Sequence, residues 1–436
     1  MPRVLNRKVL SWALYDWANS AFATAVLAGF FPIFFKQYWS AGSDPTTSTF
    51  QLGLANSTAS LVIVILAPVL GAIADVGGIR KRFLALFALL GILMTTGLYF
   101  VGAGQTAPAL VLFALSMVGF SGSIIFYDAL IVSVTGEEHY DIVSAWGYAL
   151  GYLGGGLLFA GTVAMTLWPA WFGLADAVQA VKVAFLCVAV WWLVFSLPLL
   201  LYVPEQASTG EIRPAQVARA GFRQLVRTFS KVRRLRYVAL FLLAYWLYID
   251  GVDTVVRMAV DYGMSLGFSS TNLITALLIT QFVGFPAAVA FGLLGERIGP
   301  KRAILIAIGV YLALTIWAYF LRSIVEFYAL AVLIGLVQGG VQSLSRSVYA
   351  RLIPAGQAAE FFGFYNMLGK FAAILGPLLV GLVGLATGSS RLGMLSISVL
   401  FVSGGILLYC VDIEKGKQAA RLLQQNIVPG QGTQKS

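Results

Sequence analysis

Gly71-Ala-Ile-Ala-Asp75 leads through Gly78 to Arg80-Lys81-Arg82, and Gly292-Leu-Leu-Gly-Glu296 leads through Gly299 to Lys301-Arg302. A shift of 221 residues superimposes the two stretches, and a shift of 218 places Asp128 on Arg346 and Gly151 on Gly369. Each copy follows the second long apolar run of its half. Self-similarity on this scale is the mark of a duplicated unit. A helix needs about 20 mainly apolar residues to cross a bilayer, and working outward from the two copies twelve runs have that length: 10–39, 51–74, 83–103, 107–135, 142–166, 178–203, 237–263, 268–294, 303–321, 324–350, 361–386 and 392–412. The expected fold is an all-α membrane protein of twelve transmembrane helices in two pseudo-symmetric six-helix bundles.

Composition agrees. Of 436 residues 59% are hydrophobic and 11% charged, where a soluble domain carries roughly a quarter charged residues; the mean hydropathy is +0.86. The net charge of +11 does not point to nucleic acid, because the basic residues fall in short loops between apolar runs. Lys36, Lys182, Arg322 and Arg391 lie on one side and Arg257, Arg346 and Lys370 inside the apolar runs; the remaining 22 of 29 Lys and Arg fall on the other side. The positive-inside rule makes that side, with both termini, cytoplasmic, and a bacterial inner membrane is the expected location. The first apolar run is too long for a cleaved signal peptide and carries Asp16 and Asn19, so the first helix is expected to stay in the mature chain.

Several chemistries are excluded. Cys187 and Cys410 lie in apolar runs and His139 is the only histidine, so neither a disulfide framework nor a Cys/His metal site can be assembled. There is no GxxxxGK[ST] loop for ATP, and no nucleophile accompanies His139, so no enzyme activity and no cofactor are expected. The organisation reads as a bundle over 1–203, a basic linker over 204–236, a bundle over 237–413 and a tail over 414–436. In the linker Phe222, Leu225, Val226, Phe229 and Val232 recur at helical spacing among Arg219, Arg223, Arg227 and Lys231. This is either an amphipathic helix on anionic inner-leaflet lipid or a solvated connection. The tail reads as a short helix followed by disorder, and the acidic loop Glu137, Glu138 and Asp141 around His139 is expected to meet basic cytoplasmic segments.

The glycine, acid and base pattern after the second and eighth runs resembles the signature loop of the major facilitator superfamily. Val76 and Ile79 stand where basic residues are usual there, which puts the weight of the loop on Gly71, Asp75, Gly78 and Arg80, with Glu296, Gly299 and Lys301 as the second copy. Trp12-Ala-Leu-Tyr15-Asp16-Trp17-Ala-Asn19-Ser20-Ala-Phe22 resembles the opening of the vacuole effluxer-like family, which includes fungal vacuolar amino-acid effluxers; Tyr248-Ile-Asp250-Gly251 and Gln342-Ser-Leu-Ser345-Arg346-Ser-Val-Tyr349-Ala-Arg351-Leu-Ile-Pro354 fit it too. The resemblance implies a transporter of a small polar or zwitterionic solute such as an amino acid, with helices 1, 4, 7 and 10 around a central cavity; a monomer is expected.

Seven ionisable residues lie deep in the apolar runs: Asp16, Asp128, Asp250, Asp253, Arg257, Arg346 and Lys370. Each would cost about 2.5–3.5 kcal/mol facing lipid, so they are expected to face a cavity or one another. All but Lys370 fall on the runs that the superfamily arrangement places around the cavity. Asp250, Asp253 and Arg257 step by three and four along one helical face; either Asp253 and Arg257 form a static pair, or Asp250 binds a proton or a substrate ammonium. Asp16, beside Asn19, has the same two readings. Asp128, Arg346 and Lys370, near the cytoplasmic third, form either a salt-bridged gate or a fixed packing contact. The glycines Gly147, Gly151, Gly154, Gly155 and Gly156 are read as close-packing positions. The leading function is a secondary active transporter coupled to protons or exchange. The alternatives are a passive permease and a non-transporting receptor or scaffold.

Overall fold

The computed structural model describes residues 5–42, 45–205 and 235–427. The basic segment within 206–234 lies outside the described residues, as do the side chains of Arg257 and Lys370. The regular structure described is helical throughout.

The first six helices are α1 (Arg7–Trp39), α2 (Pro45–Gly77), α3 (Arg80–Leu98), α4 (Thr106–Val134), α5 (Tyr140–Leu167) and α6 (Ala177–Tyr202). The second six are α7 (Arg236–Ser265), α8 (Ser270–Ile298), α9 (Pro300–Tyr319), α10 (Ile324–Leu352), α11 (Ala358–Thr387) and α12 (Ser390–Tyr409). A last helix, α13 (Ile413–Ile427), follows. Among the described residues eleven helices are long and apolar enough to cross a membrane; α11, with 30 residues, is the twelfth. α1 starts a few residues earlier than its apolar run because Asn6 caps it, its side chain accepting from the Lys8 and Val9 backbone N–H groups at 3.0 Å. Its C-terminal half winds as π-helix over Phe22–Phe30 and Phe35–Trp39.

Packing repeats with the sequence. α1 lies against α5 and α6 as α7 lies against α11 and α12, and α2, α3 and α4 pack together as α8, α9 and α10 do. The halves meet along two seams that the repeat exchanges, α2 with α11 and α5 with α8. Pro68 in α2 and Pro286 in α8 sit at the same 218-residue offset, so the prolines that interrupt the backbone ladder fall at matching places in both seam helices. Glycine lets the seams close. A Cβ on Gly71 would stand 2.3 Å from the Ala359 carbonyl oxygen, and one on Gly292 would stand 2.4 Å from the Ala145 Cβ.

Alternating spans put the loops α2–α3, α4–α5, α8–α9 and α10–α11 on one face with α13. We call it the signature face.

Candidate functional site

Arg346 of α10 is 1% exposed and is surrounded by the other half. Its Nη1 lies 3.1 Å from Asp128 Oδ1 of α4 and 3.5 Å from Asp16 Oδ2 of α1. Its Nε donates to Ser144 Oγ at 2.8 Å and its Nη2 to the Ser144 carbonyl at 2.9 Å, both on α5. Aromatic faces complete the shell: the guanidinium carbon is 4.4 Å from the Tyr148 ring centre, 4.8 Å from Trp12 and 5.3 Å from Tyr127. A guanidinium, planar and weakly hydrated, suits this mixture of carboxylate and ring partners better than an ammonium would.

The carboxylates are held in turn. Tyr127 Oη donates to Asp16 at 2.9 Å, and Asn366 Nδ2 of α11 donates to Asp128 at 3.0 Å. Trp12 stacks on Tyr127 at 4.4 Å and donates its indole N–H to the Tyr127 carbonyl. Gly147 makes the room, since a Cβ there would stand 2.7 Å from Tyr127 Oη and 2.9 Å from both Arg346 Nη2 and Asp16 Oδ2. Asp128 and Arg346 occupy equivalent positions of the two repeats and touch each other. Equivalent residues in contact must straddle the pseudo-two-fold axis, so this cluster sits where the halves meet at their centre.

Two further clasps lie nearer the signature face. Asp75, at the end of α2, accepts from Arg80 Nε at 2.7 Å and pairs with its Nη2 at 2.6 Å. The same carboxylate takes the backbone N–H groups of Ala359 and Glu360 at 3.0 and 2.8 Å, in the first turn of α11, where unsatisfied N–H groups and the helix dipole favour an anion. Arg80 Nη2 also reaches the Ala355 carbonyl at 3.1 Å. On the other seam Asp141 of α5 receives Arg351 of α10 through two bonds of 2.6 and 3.0 Å, and Ser347 donates to it as well. Bonds between the halves run from Gln281 Nε2 to Thr24 Oγ1 at 3.4 Å and from Tyr152 Oη to Gln342 at 3.1 Å, near mid-membrane, down to these clasps. These contacts tie the halves together toward the signature face.

The remaining residues singled out from the sequence fall as follows. Gly78 and Gly299 both have left-handed backbone, φ 61° and 89°, which explains the motif glycines. Lys301 does not meet Glu296; its Nζ donates to the Tyr409 and Val411 carbonyls at 2.7 Å, as Lys81 does to Val203 at 2.5 Å, each a cation on the C-terminal end of the last helix of its half. Glu296 is exposed. Asp250, expected beside Asp16 in the cavity, is 0% exposed and lies between α7 and α11, accepting the Gly376 N–H at 3.1 Å and the Thr254 hydroxyl at 3.3 Å. Half-buried Asp253 lies within electrostatic range of Tyr148, Tyr152 and Tyr245. Asn19 is 2% exposed on the face where Tyr15 and Phe22 pack against α4.

Sequence reasoning passed over Ser144, Tyr127, Tyr148, Asn366 and the Asp141–Arg351 pair. Arg351 and Asp141 carried a readable signal, a base in the last turn of one helix and an acid in the first turn of another. Ser144 carried none.

Comparison with known proteins places these features. The sequence model of the family described as vacuole effluxer Atg22 like matches residues 5–137 and 134–421. The MFS-type transporter YxiO of Bacillus subtilis, itself uncharacterized, is 37% identical over 98% of this chain and 100% of its own length. Autophagy-related protein 22 of Saccharomyces cerevisiae is 25% identical, with 96% of this chain and 94% of the relative covered. Among solved structures, the human organic anion transporter MFSD10 superposes with a TM-score of 0.70 at 18% identity, covering 92% of this chain and 99% of that one. The proton:xylose symporter XylE superposes at 0.68 with 14% identity, over 96% and 98%. The chain belongs to the vacuole effluxer Atg22-like family and is a multi-pass membrane transporter of the major facilitator fold.

Proposed function

We propose that this member of the family is a secondary active transporter that moves a small polar or zwitterionic solute, an amino acid being the first candidate, by alternating access. In this reading the signature face is cytoplasmic in a bacterial plasma membrane, and the structure is the state closed to the cytoplasm. The observation that carries it is Arg346, a buried cation of one half held by Asp128 and Asp16 of the other. Opening toward the signature face must separate these charges, and only water or solute entering the gap can replace them.

The cluster also supports proton coupling. Among the described side chains one guanidinium meets two carboxylates, so the closed state is electrically balanced when the Asp16–Asp128 pair keeps one proton. Deprotonation leaves an excess negative charge in a water-poor site, which favours opening. Between this cluster and the mid-membrane Gln281–Thr24 contact, Asp253, Gln342, Tyr148 and Tyr152 offer acceptors and rings for an ammonium group. The relatives' names support transport and, for the fungal proteins, a link to autophagy; they do not identify this solute.

The test is uptake of labelled amino acids into proteoliposomes under an imposed pH gradient. The reading requires accumulation above equilibrium that collapses with the gradient. In Asp16→Asn accumulation should vanish while exchange of internal for external solute persists, because exchange moves no net proton. Uptake that only equilibrates, whatever the gradient, would establish a passive permease. Intact folded protein that moves no solute would favour a scaffold.

A further inference from the structure

We infer that α13 is a strap across the signature face, fixed to one half by packing and joined to the other by ion pairs, which biases the transporter toward the closed state. This rests on the alternating-access reading. On one side α13 sits on its own half: a Cβ on Gly416 would stand 2.3 Å from Leu352 of α10 and 3.3 Å from the Tyr237 Cβ of α7, and Ala420 is 3% exposed. The glycine allows the helix to lie directly on the ends of α7 and α10. On the other side Lys417 and Arg421, one turn apart and so on one face, reach across to Glu137 in the α4–α5 connection of the opposite half. Arg421 Nη2 lies 3.0 Å from Glu137 Oε2 and Lys417 Nζ lies 3.4 Å from Oε1.

The two attachments differ in kind. Packing on α7 and α10 moves with its own half, whereas the Glu137 pairs span the opening between halves and must break when the halves rock apart. Arg421 is 68% exposed and Glu137 35%, so water and salt weaken these pairs; exposed pairs have small energies and are screened within about 8–10 Å at physiological ionic strength. The strap is therefore soft. It shifts the ratio of closed to open molecules by about two- to fivefold and does not lock it. Glu414, which pairs with Lys417 at 2.9 Å, competes for the same cation from within α13 and further limits the grip.

The experiment uses the full-length protein with Cys187→Ser and Cys410→Ser and spin labels at Arg82→Cys and Arg297→Cys, exposed positions on the two signature loops. Distances between the labels report separation of the halves without any solute. Glu137→Arg should raise the separated population two- to fivefold, and Lys417→Glu with Arg421→Glu should do the same. Combining all three should restore the original distribution, which no loss of folding can mimic. Raising ionic strength should act on the unsubstituted strap like Glu137→Arg and move the charge-reversed variants the opposite way, because in them salt screens repulsion. Should Glu137→Arg not fold, the pair of changes on α13 carries the test alone. Identical distance distributions in every folded variant, at low and high salt, overturn the strap. Distributions that respond as described in a protein that transports nothing overturn the transport reading and keep the strap.

Discussion

At the end of α2, Asp75 turns inward and takes two N–H groups from the first turn of α11. At the end of α8, Glu296 stays exposed, and the first turn of α5 brings its own acid, Asp141, which catches Arg351 from α10. The two loops share their glycines, the left-handed turn and a lysine on the end of the last helix of each half. They differ in which helix supplies the acid and in what the acid grips. One clasp is a carboxylate in a helix N-terminus, held by N–H groups that are part of the helix backbone. The other is a side chain on a side chain, and both partners can find water once they part. A repeated motif thus preserves the scaffold of the loop while the function of its acid diverges.

The largest expected effect is a control that breaks the centre common to both seams. Arg346→Ala leaves two buried carboxylates without their cation and should cost about 3–5 kcal/mol of stability, read as thermal unfolding in detergent, and abolish uptake. Asp75→Asn keeps shape but removes the charge from the α11 N-terminus and from Arg80; uptake should fall about tenfold or more, in line with about 1.5–3 kcal/mol for hydrogen bonds to a charged group. Asp141→Asn should cost less than Asp75→Asn, about 1–2 kcal/mol, because its partners Arg351 and Ser347 are side chains that can reorient, whereas the N–H groups on Asp75 are fixed in a helix. If Asp141→Asn is the more damaging, the ranking of backbone clasp over side-chain clasp is wrong. Gly78→Ala and Gly299→Ala test what the loops share: each forces a non-glycine residue to positive φ, and the two should lose similar amounts, about 1–2 kcal/mol. Glu296→Gln should change stability by no more than about 0.5 kcal/mol and leave uptake at the level of the unsubstituted protein. Slow uptake in that variant would restore the symmetry denied above.

The fold was open to reading from sequence because its signals are long-range and redundant: twelve apolar runs, one duplicated loop, and charges too costly to face lipid. The same argument singled out Asp128 and Arg346, at matching depths of the two halves, but left open which acid would meet which base. What periodicity cannot supply is rotation about a helix axis and the path of a neighbouring backbone. Asp250 and Asp253 lie on nearly the same face, yet one meets the Gly376 N–H of α11 and the other looks toward the α5 tyrosines. Gly376 decides this, because a Cβ there would stand 1.9 Å from Thr254 Oγ1, and the glycine alone lets α11 come so close. Ser144, with its hydroxyl and carbonyl both bound to Arg346, looks in sequence like any small residue in a membrane helix.

Asp128 and Arg346 occupy one position twice, with opposite sign. In a homodimer of the first six helices, arranged as the halves are here, two aspartates would meet on the axis; in a homodimer of the last six, two arginines would meet. Either pairing sets like charges against each other in a medium that screens them poorly, while the mixed pairing brings a cation to an anion. The charge difference makes each half selective for the other, so whatever symmetric ancestor the duplication began from, its products have become a lock and a key. Halves expressed as separate chains should find each other and not themselves.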